Sequence, residues 1–378
     1  MPSGRVIGLD VARYGALVAM MATHVLDPSG PTGDVTVVQQ VAGGRAAALF
    51  AVLAGVSLSL MSGRMVAVRG TELRAVSAGL ALRAVLVAAI GLALGALPTN
   101  ILVILAYYGV LFLLGIPFLR LGARALAVLA GAWVVVVPVL MHLLRSHLAE
   151  APVQSPTLAS IADPGSLLVD LTVTGAYPAL PWLGYLFAGM ALGRLDLSRW
   201  RTPYDLVVVG ACLAAVSWAV STVLVSRSGV VERLEETLPA TYGGDLDYAL
   251  THGLQGATPT QTWWWLGVDA PHTGTPFDLV HTIGSALVVI GLALLVGWLA
   301  PRVATVAFGA GAMTLTLYSL HVVLRTPPFL PDDDLRTFLS HVVIVTLIGS
   351  AYRLERRSGP FERVVTVLSR KVSAVVRG

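Results

Sequence analysis

Apolar residues gather in stretches long enough to cross a hydrocarbon core of about 30 Å, and polar residues gather in the gaps between them. The pattern predicts ten helical spans, at 8–27, 46–62, 75–97, 101–119, 124–147, 179–195, 203–226, 277–299, 303–324 and 336–352. The connecting loops alternate in charge. Those after the first, fifth, seventh and ninth spans carry acidic groups such as Asp27, Asp163, Glu232 and Asp332. The intervening loops carry Arg64, Arg69 and Arg74, then Arg120 and Arg124, Arg199 and Arg201, and Arg302. Arginine and lysine in short loops mark the cytoplasmic side, which places both termini there. The expected fold is all-α: a polytopic integral membrane helix bundle over 1–352, followed by a basic amphipathic cytoplasmic tail over 353–378.

Composition strengthens this reading. Hydrophobic residues make up 56% of the chain and charged residues 12%, against about 25% charged in soluble domains. The first span follows Arg5 but contains Asp10 and Arg13 and lacks a small-residue cleavage site, so it is expected as a retained helix and not a signal peptide. The net charge of +4 resides in arginines that set topology, which argues against nucleic acid as a partner. Cys212 is the only cysteine, and no His/Cys set has zinc spacing, so neither a disulfide nor a metal site is expected. Strong use of arginine over lysine, with many Ala, Val and Gly, suggests a GC-rich bacterium and hence a bacterial plasma membrane. Two outside loops are long, and the second holds Trp263-Trp264-Trp265 and then Pro271-His272-Thr273-Gly274. Its aromatics are read as headgroup anchors, with a binding surface as the alternative.

Charges inside a span cost at least about 2.5–3.5 kcal/mol, so each requires a partner or a task. Asp10 and Arg13 are helical neighbours and can neutralise one another. From Arg13 to His24 the helix turns about 1100°, within about 20° of three whole turns, so Asp10, Arg13 and His24 form one polar stripe. Taken alone, these are a structural ion pair and a core histidine. His281, His321 and Arg45, from three other spans, are expected at the same outer depth as His24. A histidine can accept and return a proton near neutral pH, which is what activating a hydroxyl or amine requires. Arg83, near the start of the third span, either snorkels to the cytoplasm or meets a phosphate.

The opening Arg5-Val-Ile-Gly-Leu-Asp10-Val-Ala-Arg13, continuing apolar to His24, resembles the first helix of the transmembrane acyltransferase superfamily. That group includes heparan-alpha-glucosaminide N-acetyltransferase and bacterial acyltransferase family three. Gly44-Arg45 through Ser57 is similar to its second helix. Tyr107-Tyr108-Gly109, Gly175 to Pro178, Gly189 to Arg194, Thr314 to His321 and Gly359-Pro360-Phe361-Glu362 resemble the bacterial membrane branch beside the heparan-type domain. The resemblance implies an acyl group, acetyl in the first instance, moved from cytoplasmic acyl-CoA to a sugar or envelope glycan at the outer face. It gives Arg5, Arg13, Arg64, Arg83 and Arg194 to the CoA phosphates, and Arg45, Tyr177 and His272 to the acceptor. His24 becomes the general base, with His321 and His281 as partners and Asp10-Arg13 as the organising pair. One departure stands out: heparan-type enzymes carry their proposed catalytic histidine in the loop after the first helix, and 25–44 contains none here.

Two rival readings share these residues. A proton-coupled exporter or other transporter would use the same polar stripe as a pathway, and a silent scaffold or lipid-binding protein would use it only for packing. Membrane lipids, acyl-CoA and a glycan are the expected partners, with homo-oligomerisation left open.

Overall fold

The computed structural model describes residues 5–30, 34–148, 153–242, 244–254, 256, 258–327 and 329–378. Helices occupy the apolar runs, but they are shorter than expected at 101–119 and broken at 303–324. We number these α1 (Ile7–Val25), α2 (Arg45–Met61), α3 (Gly70–Leu94), α4 (Leu105–Gly115), α5 (Ala123–Arg145), α6 (Ala179–Gly193), α7 (Thr202–Val225), α8 (Pro276–Leu299), α9 (Thr314–Leu324) and α10 (Leu335–Leu354), followed by α11 (Pro360–Arg377). Six stretches among the described residues are long and apolar enough to cross a membrane: Val37–Met61, Gly70–Leu94, Ala123–Arg145, Thr202–Val225, Pro276–Leu299 and Leu335–Leu354. Shorter apolar helices cover Leu105–Phe118, Ala179–Gly193 and Thr314–Leu324. The chain is an all-helical, multi-pass membrane protein.

Apolar side chains gain little by leaving lipid for one another, so membrane helices associate where small residues let their backbones approach. In α2 and α6, Gly55 lies against the Leu186 carbonyl and Gly189 against the Val52 carbonyl, with no room for a Cβ at either. Gly210 of α7 and Gly284 of α8 face each other in the same way. The first helix is the hub of the bundle, touching α2, α8, α9 and α10.

The structure corrects the expected single span 303–324. It is two helical pieces, Pro301–Ala307 and α9, joined by a tight turn over Gly309–Ala312. Gly311 in that turn sits against the Asp10 carbonyl of α1, where any Cβ would overlap. Breaking the helix lets this bare backbone pack against the backbone of α1 at Asp10 and Tyr14. Irregular backbone at membrane depth is tolerated where it is enclosed by protein or lines a cavity, and this turn does both.

The long loop 227–276 has a small core of its own, built from Val230, Leu234, Leu246, Ala249, Leu254, Trp265, Val268 and Ala270. Of the three tryptophans expected as anchors, Trp265 is fully buried and its indole N–H donates to Thr237 Oγ1 at 2.9 Å. Only Trp263 and Trp264 are exposed. The tail helix α11 lies along α3, with Ser369 and Ser373 against Gly79 and Arg377 paired with Glu72 at 2.5 Å. It therefore forms part of the bundle wall, a place that its alternation of valine and arginine did not suggest.

Gly189→Val forces α2 and α6 apart, and overpacking of this kind costs about 1–3 kcal/mol. The expected result is a lower thermal midpoint in detergent for the variant, measured against a Gly131→Val control at a position with open space around it.

Candidate functional site

Among the described residues, two cavities lie along the polar stripe of α1. The larger, about 530 Å³, is lined by Arg5, Asp10 and Arg13 of the chain's start, Ser57 of α2, Arg83 of α3 and the first residues of α9. Asp10 is buried and accepts from Arg5 Nε at 2.6 Å and from Arg13 Nη1 at 3.1 Å, while Arg13 Nη2 donates to Ser57 Oγ at 2.9 Å. Arg83 Nη2 donates to Thr366 Oγ1 of α11 at 3.3 Å. The tail supplies another wall residue, Glu362, which accepts from the Thr316 backbone N–H at 3.1 Å and from Thr316 Oγ1 at 2.5 Å. Three guanidiniums against two carboxylates leave this lining basic, so we call it the arginine cavity.

The second, about 270 Å³, is lined by Thr23 and His24 at the far end of α1, by Gln39 and Tyr177, and by Tyr248, His252 and His272 of the long loop. Met20, Ile104 and Tyr318 line both cavities and form the waist between them. The Ile104 N–H donates to the Tyr318 hydroxyl at 3.4 Å, which leaves the hydroxyl its own hydrogen to give. The stripe expected on α1 is present, with Asp10 and Arg13 in one cavity, His24 in the other and Met20 between them.

Three imidazoles form a chain that begins at His24. Its Nδ1 lies 3.2 Å from His321 Nε2, with the rings nearly parallel at 8°. His321 Nδ1 lies 2.7 Å from His341 Nδ1. His321 and His341 are fully buried. His341, on α10, is the member that the sequence reading missed. Its signal was an ionisable residue inside an apolar span. Arg325, buried just past α9, donates to the Pro331 and Asp332 carbonyls at 2.7 Å each and pairs with Asp333. Its charge acts on all three rings.

Tyr177 and His272 meet in the histidine cavity, their rings 5.8 Å apart. His272 has a left-handed backbone, φ 58°, and burial holds its imidazole down to a pKa of about 4, so it is neutral at physiological pH.

Four expectations need correction. His281 does not join His24, because its Nδ1 is held 2.6 Å from Asp269 Oδ2 and it lines neither cavity. Arg45 also lines neither, and donates to the Gln40 carbonyl at 2.6 Å. An expected common depth does not fix which way each helix face points. Arg194 does not line the arginine cavity: it is buried, and its guanidinium is shared among the carbonyls of Ser59, Ser62, Arg64, Leu119 and Leu121 and the Ser62 hydroxyl. It ties α6 to the ends of α2 and α4. Arg64 lies exposed in the loop after α2, outside the lining. Arg194→Met strands those acceptors at about 1–3 kcal/mol; the expected outcome is a lower thermal midpoint in detergent, read by differential scanning calorimetry.

The family model for heparan-alpha-glucosaminide N-acetyltransferase, catalytic, matches residues 5–220. A search of the curated proteins returned no match. The matched stretch runs from the start of α1 into α7 and includes Asp10, Arg13, His24, Arg83 and Tyr177. His272, His321 and His341 lie beyond it. With more than half of its length matched, the chain belongs to the heparan-alpha-glucosaminide N-acetyltransferase catalytic family.

Proposed function

We propose that the protein transfers an acyl group, acetyl in the first instance, from cytosolic acyl-CoA to a hydroxyl or amine of a sugar or envelope glycan on the other side of the membrane. The observation that carries this reading is the waist. A basic cavity and a histidine-bearing cavity reach it from opposite ends of α1 and share Met20, Ile104 and Tyr318. A transferase that joins a donor on one face to an acceptor on the other needs two pockets that meet at one point, so that the reacting atoms can be held in contact.

In this reading the arginine cavity takes the donor. Arg5, Arg13 and Arg83 face the phosphates of CoA, and the pantetheine arm runs past Ser57 and Leu53 toward the waist. The acceptor occupies the histidine cavity, where Tyr177 and the loop residues Tyr248 and His252 offer aromatic and polar contacts. His24 reaches the reacting centre through Nε2, since Nδ1 is engaged by His321. Tyr318 brings a hydroxyl hydrogen to the waist.

The test uses the full chain in lipid nanodiscs with radiolabelled acetyl-CoA and a panel of amino sugars and hexoses. Label is expected in a sugar product, and His24→Phe is expected to lower kcat by about 100-fold or more with CoA affinity retained. Neither CoA binding nor label transfer by the wild-type chain would overturn the proposal, and sugar flux without acyl chemistry would establish a transporter. Arg83→Ala is expected to weaken CoA binding by about tenfold, about 1.4 kcal/mol, with kcat little changed, as read by equilibrium dialysis and initial rates.

A further inference from the structure

The histidine cavity holds two imidazoles in unlike settings. His24 is tied into a chain. A neutral imidazole has one N–H and one lone pair, so three neutral rings joined by two hydrogen bonds have only two arrangements. In the first, His24 Nδ1–H donates to His321 Nε2 and His321 Nδ1–H donates to His341 Nδ1. His341 then carries its hydrogen on Nε2, which is buried and has no partner among the described residues. In the second, His341 Nδ1–H donates to His321 Nδ1, and His321 Nε2–H donates to His24 Nδ1. The stranded atom is then only a lone pair, and His24 carries its hydrogen on Nε2. A buried N–H without an acceptor is rarer in proteins than an under-used lone pair. The second arrangement is favoured, and in it His24 is a hydrogen-bond donor to the cavity with no lone pair to act as a base.

His272 is free. Among the described residues neither of its ring nitrogens has a hydrogen-bond partner, and its one ring neighbour is Tyr177. It faces Tyr177, His24, Tyr248 and His252 across the cavity, and Tyr185 and Asp278 across a narrow adjoining gap. Its left-handed backbone is fixed by the Gly256 N–H, which donates to the His272 carbonyl at 2.6 Å, and by the fully buried Thr273 beside it. Strain of this kind persists where surrounding structure imposes it, and it collects at functional positions. Burial keeps the ring neutral, with an open lone pair, at physiological pH.

We propose that His272 takes the proton of the acceptor, while His24, with its hydrogen set on Nε2 through His321 and His341, meets the negative oxygen of the tetrahedral intermediate. This rests on the acyl-transfer reading and moves the role of base away from His24. The acceptor oxygen or nitrogen bonds to the thioester carbon as its hydrogen passes to His272. The carbon–sulfur bond then breaks, the carbonyl re-forms, and the CoA sulfur leaves with the proton that His272 took. His341 touches no substrate; it is a positioning residue.

The test combines two readouts on the full chain in nanodiscs. Nitrogen NMR with labelled histidine reports which ring nitrogen of His24 bears hydrogen, without any substrate. The hydrogen is expected on Nε2 in the wild type and in His341→Asn, whose amide can still donate to His321, and on Nδ1 in His341→Asp, which can only accept. Turnover of acetyl-CoA is then compared with a hexose and with hydroxylamine, whose free amine attacks without a base. His272→Asn suits the left-handed backbone. It is expected to lower transfer to the hexose by about 100-fold and to leave transfer to hydroxylamine near the wild-type rate. His341→Asp is expected to lower both rates and His341→Asn to restore them. A wild-type His24 with no hydrogen on Nε2, or equal loss of both activities in His272→Asn, would overturn the inference. If the wild type transfers to neither nucleophile, the acyl-transfer reading fails and the role of His272 with it, and the NMR result still decides the tautomer of His24.

Discussion

A carboxylate enclosed by apolar helices must be neutralised before the helices can close around it, and Asp10 is where this chain meets that requirement. Arg5 and Arg13 supply the charges from the same segment, and Ser57 of α2 takes a remaining hydrogen of Arg13. The partners of Asp10 on α1 draw in the neighbouring elements. The chain between α8 and α9 gives up its helix so that Gly311 can pass the Asp10 carbonyl, and Tyr14 bonds Thr346 of α10 at 2.8 Å. At the far end His24 bonds His321 of α9. One helix with a polar stripe therefore sets the positions of α2, α9 and α10, and the space left along that stripe is the pair of cavities.

Much of this was legible in the sequence, for reasons that differ by level. The spans could be read because a bilayer demands about twenty apolar residues in a row. The stripe from Asp10 to His24 could be read because it lies within one helix, where spacing fixes the face. Contacts between helices were harder. His24 and His321 were expected together from depth alone and do meet, whereas His281 and Arg45, expected beside them, turn to Asp269 and to Gln40. Depth follows from topology, but the azimuth of each helix follows from packing at sites such as Gly55 and Gly189, which the spacing of polar residues does not reveal. Arg194 illustrates the same limit: a conspicuous arginine at the end of a span serves backbone carbonyls that no linear pattern connects.

The family match and the site divide the chain unequally. Residues 5–220 carry most of the arginine cavity and one member of the imidazole chain. The remainder adds His321 and His341 behind His24, His272 in the loop before α8, and α11 with Glu362 at the cavity wall. The unmatched part is thus no appendage; the waist itself needs Tyr318 from it. A side chain on α11 also faces Arg83 across the cavity mouth, so the tail helix bears on whatever that cavity accepts.

Transfer from one face to the other requires both cavities to reach the same few side chains, and cysteine accessibility tests this most directly. In a Cys212→Ser background, Met20→Cys in sealed, oriented vesicles is predicted to react with a small water-soluble thiol reagent applied from either face. Ser57→Cys should react from one face only and Thr23→Cys only from the other. Labelling of Met20→Cys from a single face, or from neither while both flanking positions react, would contradict a shared waist.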